Sequence, residues 1–259
     1  MIKDTTRSAL EVSIQASCNT LRLTSAIPEY MSEEGNIKQI EFLDTALKRE
    51  VDERAGRRSS EALKKAKFPS YKTFEGYDFK NVKLPPALSR EDLENVAFID
   101  AKQNLVLYGP VGVGKTHLAT AIGIRACKQG YSVRFYPVTD LVLKLADARK
   151  KGTLEKVRRS LNSIDLLILD EWGYVPIDRD GSQLLFRVIS DCYENRSLLL
   201  TTNLEFSKWG TIFTDDQMAA AMIDRLVHHG HLILFEGNSS RMEHALMKQT
   251  ARQLSKEGP

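Results

Sequence analysis

The sequence predicts an α/β fold, a doubly wound parallel sheet of five strands, preceded by a small helical domain. Three observations predict it. From about Ala101 onward, short apolar runs alternate with helical segments. The first of those runs leads directly into a glycine-rich loop, and the residues ahead of Phe68 are charged and helix-forming with no strand pattern.

The elements run in order along the chain. Ser32 to Lys67 places Ile37, Ile40, Phe42, Leu43, Leu47 and Val51 at spacings that fit an amphipathic helix. Its second part, Lys48 to Lys67, carries eight basic and four acidic residues. Phe68-Pro69-Ser70 breaks the helical pattern, and Tyr71 to Pro86 is aromatic and turn-rich, a linker expected to pack onto the α/β domain. The expected domains are therefore residues 1–68 and 69–259. In the second, Asn104 to Tyr108 reads as a buried strand, and His117 to Lys128 as a helix stopped by Gly130. Tyr131 to Tyr136 is the second strand, and two helices, Thr139 to Lys151 and Leu154 to Leu161, come before the third. That third strand, Leu166 to Leu169, is wholly apolar and too short for a helix. Ser182 to Asn195 is helical, Leu198 to Thr202 is the fourth strand, Asp216 to His229 is a helix, and Leu232 to Phe235 completes the sheet. Between Ser239 and the end there is room for about one more helix, too little for a full C-terminal lid.

Composition narrows the class. The chain is 42% hydrophobic and 27% charged, with a net charge of +3, as expected of a globular protein with a sizeable core. No apolar run approaches the ~18 residues of a membrane span. The polar N-terminus lacks the apolar stretch of a signal peptide, so a cytoplasmic protein is expected, with no membrane partner. Cys18, Cys127 and Cys192 are odd in number, widely spaced and without a CxxC pair, so they imply no disulfide framework or zinc knuckle.

The chemistry starts at Gly109-Pro110-Val111-Gly112-Val113-Gly114-Lys115-Thr116, a complete G-x-x-x-x-G-K-[ST] phosphate loop between strand and helix. Backbone N–H groups of such a loop converge with the helix N-terminus on one concavity that suits a polyphosphate. Lys115 is expected to reach the β- and γ-phosphates and the Thr116 hydroxyl to take a Mg²⁺ position, with His117 opening the helix behind them. The third strand ends in Asp170-Glu171. In a doubly wound sheet that tip lies beside the phosphate loop, so Asp170 is expected to hold Mg²⁺ and Glu171 to orient the attacking water. Asn203, at the tip of the following strand, is a candidate to bond the γ-phosphate or that water, although an Asn there also simply starts turns. Arg225 and Arg241 are candidates for guanidinium contacts to the transferred phosphate, with Arg187 a weaker competitor. His228, His229 and His231 lack an i, i+4 pair with an acidic partner and read as structural.

Taken together, G-P-V-G-V-G-K-T-H-L-A, D-L-L-I-L-D-E-W-G-Y, L-T-T-N-L-E-F-S-K-W and M-I-D-R-L-V-H-H-G with a later S-S-R resemble the IstB-like transposition helpers of bacterial insertion sequences. These are ATP-binding proteins of the AAA+ superfamily, whose relatives include the DnaC helicase loader and the DnaA initiator. The resemblance runs from about Phe68 to Met247 and more loosely into the N-terminal helices. It implies ATP as the nucleotide and an ATPase that forms a homo-oligomer with ATP and duplex DNA and serves a transposase. It also implies that Asn203 is a first sensor, Arg225 an arginine acting on a neighbour's ATP, and Arg241 a second sensor.

Lys144 to Arg159 carries seven basic residues against two acidic, a local excess larger than the whole-chain net charge. The resemblance implies that this two-helix insert lines a DNA channel, and Lys144, Lys150, Lys151, Lys156, Arg158 and Arg159 are the candidates for sequence-independent backbone contacts. A helicase loader of the DnaC kind is the competing reading, with the N-terminal domain deciding between them. A small-molecule phosphoryl-transfer enzyme would need an acceptor pocket and a lid that the sequence does not offer. A GTPase is disfavoured because no N-K-x-D motif occurs.

Overall fold

In the computed structural model the described residues are 2–174, 177–213, 215–237 and 239. The chain divides into two compact units, Met1–Glu61 and Ala62–Pro259.

The first unit is helical: α1 (Ile2–Leu21), α2 (Ala26–Glu34) and the greater part of α3 (Ile37–Ala66). Its small core joins Ile14, Cys18 and Leu21 of α1 to Ile40 and Leu47 of α3. On each helix these residues recur three, four or seven apart, the spacing that lines one helical face. Two polar contacts hold α1 to α3: the Ser13 hydroxyl donates to Asp44 at 2.6 Å and Arg54 donates to the Leu21 carbonyl at 3.2 Å. The last turns of α3 belong to the second unit, because Ala62, Leu63 and Ala66 pack into the core there. That is why the division falls ahead of the composition break at Phe68.

The second unit contains β1 (Val82–Lys83), α4 (Arg90–Asn95), β2 (Asn104–Tyr108), α5 (Lys115–Lys128), β3 (Val133–Pro137), α6 (Val138–Lys150), α7 (Leu154–Asn162), β4 (Leu166–Trp172), α8 (Arg179–Cys192), β5 (Ser197–Thr202), α9 (Gly210–Phe213), α10 (Asp216–His228) and β6 (Gly230–Phe235). The sheet has six strands in the order β1-β6-β2-β5-β4-β3. Five of them are parallel. The sixth, β1, is a correction to the expected count: two residues pair antiparallel with β6 through Val82↔Phe235 and Lys83↔Leu234. A strand that short has no period to read.

Alternation along the strands builds a core on each face of the sheet. Leu105, Leu107, Ile168 and Leu199 face α5 and the Phe74–Phe79 segment, while Val106, Leu167, Leu169 and Leu200 face the side of α6, α8 and α10. The aromatic linker does pack onto this unit: Phe74 is buried, and the Tyr77 ring meets Phe79 and His117, each with centroids 4.9 Å away. Among the described residues no helix is long and apolar enough to cross a membrane.

Candidate nucleotide site

The phosphate loop leaves the sheet at Tyr108, and its start is tied to β5 by the Gly109 N–H, which donates to the Thr202 carbonyl at 3.2 Å. Gly112 and Gly114 have φ of 83° and 101°, left-handed values that a side chain tolerates poorly, and they turn the loop back over the start of α5. Gly114 is also the N-cap of that helix and has no side chain to satisfy the first-turn N–H groups. The positive end of the helix dipole therefore faces the loop, where it favours an anion. Val111 stands exposed at the rim, and Val113 is half-buried against the core below.

Lys115 is only 7% exposed, and its ammonium donates to the carbonyls of Gly109 at 2.7 Å and Pro110 at 2.6 Å. The Thr116 hydroxyl donates to both oxygens of Asp170, at 3.0 and 3.1 Å. Asp170 is itself 5% exposed and also accepts from the Thr201 hydroxyl. The ring of His117 donates from Nε2 to the Thr73 carbonyl at 3.2 Å, and Tyr77 donates to the Gly114 carbonyl at 3.4 Å. Burial pushes the Tyr77 phenol up, so it remains a donor.

Beyond Asp170 the strand is irregular. Pairing of β4 with β5 shifts between Leu169 and Trp172, and Glu171 adopts a left-handed φ of 62°. Such a bulge re-aims a side chain. Here Glu171 is exposed toward the cavity while its N–H donates to Thr201 Oγ1 at 3.1 Å. Thr201 therefore links the two acidic residues, a role that sequence patterns alone assign to no residue. Lys72 and Tyr174 are further lining residues without a sequence signal.

Beside these groups lies a cavity of about 370 Å³, within the usual range for a small-molecule site. Lys115, Thr116, Glu171 and Thr201 all line it. The hydroxyl of Thr116 and the carboxylate of Asp170 are hard oxygen donors in contact, a set that fits Mg²⁺.

The other candidates lie elsewhere. Asn203 is exposed just past the end of β5 and does not line the cavity. Arg225 is on α10, where it donates to the Ala221 carbonyl at 2.8 Å and its guanidinium lies 5.0 Å from the Phe186 ring centroid. Arg241 and the expected last helix fall outside the described residues. Among the basic candidates, Lys144 donates to the Tyr136 hydroxyl at 2.6 Å and Lys151 pairs with Asp147 at 2.8 Å. Arg158 makes a forked contact to Asp191 of α8, 2.9 Å at its shortest, which holds its guanidinium above the ordinary range and spends it on helix packing. Arg159 is exposed and donates to the Glu155 carbonyl at 3.4 Å, while Lys150 and Lys156 are exposed without an ion pair among the described residues.

A mostly parallel sheet with a glycine loop opening α5, and an acidic strand tip bonded to the loop's Thr, defines a P-loop nucleotide-binding protein. Within that class the chain belongs to the IstB-like ATP-binding protein family, whose model it matches over residues 17–248. It is 39% identical over 206 residues to a protein of Pseudomonas aeruginosa named as an ATP-binding protein of insertion sequence IS21, covering 78% of this chain and 77% of that one. It is 37% identical over 225 residues to the corresponding protein of insertion sequence IS5376 from Geobacillus stearothermophilus, covering 87% and 89%. Among solved structures, DnaA from Aquifex aeolicus bound to AMPPCP aligns with a TM-score of 0.51 at 22% identity, over 71% of this chain and 55% of that one. That likeness concerns the fold, which is of the AAA+ P-loop type.

Proposed function

We propose that this protein is an ATP-dependent, DNA-binding regulator of transposition. On this reading it assembles on duplex target DNA with ATP, recruits or activates a transposase, and leaves the DNA on hydrolysis. The observation that carries the reading is the contact of Thr116 and Thr201 with Asp170, beside Lys115 and Glu171 of the cavity lining. The names of its relatives, ATP-binding proteins of insertion sequences, supply the biological setting.

Loop N–H groups and Lys115 hold the β- and γ-phosphates, and Lys115 gives up its two carbonyl contacts to do so. Thr116 and Asp170 hold Mg²⁺, which when bound neutralises phosphate charge. Glu171, aimed by the bulge, orients the attacking water, and Thr201 keeps Glu171 and Asp170 in fixed relation. Asn203 contacts the γ-phosphate side of the site in the assembled state. Arg225 acts on the ATP of a neighbouring subunit, in keeping with its absence from the cavity lining of its own chain. Phosphoryl transfer asks for such positioning and charge stabilisation more than for covalent chemistry. Lys144, Lys150, Lys151, Lys156 and Arg159 track the DNA backbone, with Arg158 supporting the helix that presents them.

The test is sedimentation of the full chain on a duplex of ~50 base pairs, ample for several backbone-tracking subunits, with ATP, with ADP and without nucleotide. A large complex with ATP alone is expected. A chain that stays monomeric and unbound in all three conditions overturns the DNA role and directs the search to a helicase partner.

A further inference from the structure

His228 and His229 end α10, and successive residues of a continuous helix do not face one another. At His229 the helix stops, with φ −120° and ψ 41°. That break brings its ring against His228, with centroids 4.3 Å apart. The end of α8 arrives at the same place. Glu194, two residues past Cys192, has a left-handed φ of 58°, a conformation a glutamate adopts only against a steric cost. Its carboxylate lies 3.2 Å from His229 Nε2, and the Tyr193 hydroxyl lies 3.0 Å from His228 Nδ1. One ligating atom from each of Glu194, His228 and His229 falls within 4.8 Å of the others. Glu194 and His228 are exposed and His229 is half-buried, so solvent ions reach all three.

We propose that Glu194, His228 and His229 form a binding site for a divalent transition metal of the zinc class, with a fourth position left to water. Two imidazoles and one carboxylate make a borderline donor set that suits Zn²⁺, whereas Mg²⁺ and Ca²⁺ take oxygen ligands. Tetrahedral Zn²⁺ at bonds of about 2.0–2.2 Å sets its ligand atoms roughly 3.4 Å apart. Side chains this exposed close the remaining gap by small rotamer changes. The C-terminus of α10 adds partial negative charge beside the cation. The site is distinct from the nucleotide cavity: it precedes β5 and β6, at the end of the sheet opposite the phosphate loop. Bound metal clamps the end of α8 to the end of α10. These are the helices that already meet through Arg225 and Phe186, so the clamp steadies the helix that presents Arg225.

The test uses the untagged, metal-free full chain, titrated with Zn²⁺ against a chromophoric chelator and separately with Co²⁺ as a spectroscopic probe. One Zn²⁺ per chain is expected, with tetrahedral Co²⁺ absorption and a thermal midpoint that rises when Zn²⁺ is added. Glu194→Gln and His229→Gln should each weaken binding at least about tenfold, the lower bound seen even when only supporting groups of a metal site are lost. Both should also abolish the thermal shift. Absence of Zn²⁺ binding by the wild type overturns the proposal, as does binding that both variants retain unchanged. A fluorescent-nucleotide titration of the same variants reports the phosphate loop separately, so failure of the metal site leaves the nucleotide reading standing.

Discussion

The Thr116 hydroxyl donates to both carboxylate oxygens of Asp170, at 3.0 and 3.1 Å, and so joins the first turn of α5 to the tip of β4 across a sequence separation of 54 residues. In the sheet the two parent strands are not neighbours, because β5 runs between β2 and β4. The contact is therefore a property of the strand order, with the loop reaching over the intervening strand. Asp170→Asn keeps the shape but replaces one acceptor oxygen with an N–H donor that faces two hydroxyl donors. Nucleotide affinity in Mg²⁺ should fall to the value measured without Mg²⁺, and ATP turnover should drop by about 100-fold, the scale of losing one charge-stabilising group. Fluorescent-nucleotide titrations with and without Mg²⁺ measure the first and phosphate release the second. A variant that still binds more tightly in Mg²⁺ would remove Asp170 from the ion's coordination.

Thr201 is 2% exposed, and its hydroxyl serves Asp170 as a donor and the Glu171 N–H as an acceptor. Thr201→Val preserves volume and β-branching but strips the Glu171 N–H of its acceptor and leaves Asp170 with the Thr116 hydroxyl as its remaining hydroxyl donor. Buried polar groups stranded in this way cost about 1–3 kcal/mol, which chemical denaturation resolves. Turnover should fall more than ~10-fold on the same argument, and Thr201→Ser, which restores the hydroxyl, should recover most of both losses. Equal stability of the Val variant and the wild type would mean that this hydroxyl carries neither contact in solution.

Glu171 combines a candidate catalytic carboxylate with a left-handed backbone at φ 62°. The two features separate by substitution. Glu171→Gln should bind ATP and DNA but fail to turn over and release, which nucleotide binding, phosphate release and DNA dissociation read independently. Among variants lacking the side chain, Glu171→Gly should be more stable than Glu171→Ala by about 1 kcal/mol, since glycine accepts this φ without a Cβ clash. The order of their unfolding midpoints checks the strain directly, and the reverse order would argue that the bulge relaxes in solution.

How much of this could be read from the sequence depends on whether a feature is contiguous. Gly109 to Thr116 is legible because successive residues make the whole loop, and the strand–loop–helix setting is local as well. The meeting of Thr116 with Asp170 needs only the rule that strand tips of a doubly wound sheet gather at one end. Thr201 was hidden for the opposite reason. Its role depends on a one-residue irregularity between Leu169 and Trp172, and no period in L-L-I-L-D-E-W announces that shift. Asn203 is the obvious polar residue after the apolar run, yet it stands exposed outside the cavity, while the less conspicuous threonine two positions earlier lines it. Charge counting likewise found Arg158 without its partner, because Asp191 comes from a helix 33 residues away. The histidines closing α10 read as structural until Glu194 is brought to them from the end of α8.

Arg225 offers a prediction that depends on assembly. Its guanidinium lies over Phe186 and its Nη1 is bonded within its own helix, so in the single chain it does not line the cavity holding Lys115 and Glu171. If it completes a neighbour's site, Arg225→Ala should bind ATP with wild-type affinity yet lose assembly-dependent turnover by roughly 10³-fold, the contribution typical of an arginine supplied in trans. Glu171→Gln is inactive for a different reason and still carries Arg225. Mixing the two inactive proteins on DNA should therefore restore part of the activity. At each interface where a Glu171→Gln subunit presents its arginine to an Arg225→Ala subunit, one complete site forms. Phosphate release measured against mixing ratio should rise from near zero at both ends to a maximum between them. A flat line across all ratios would place Arg225 in its own chain's chemistry or in helix packing, and would remove the subunit interface from the proposed cycle.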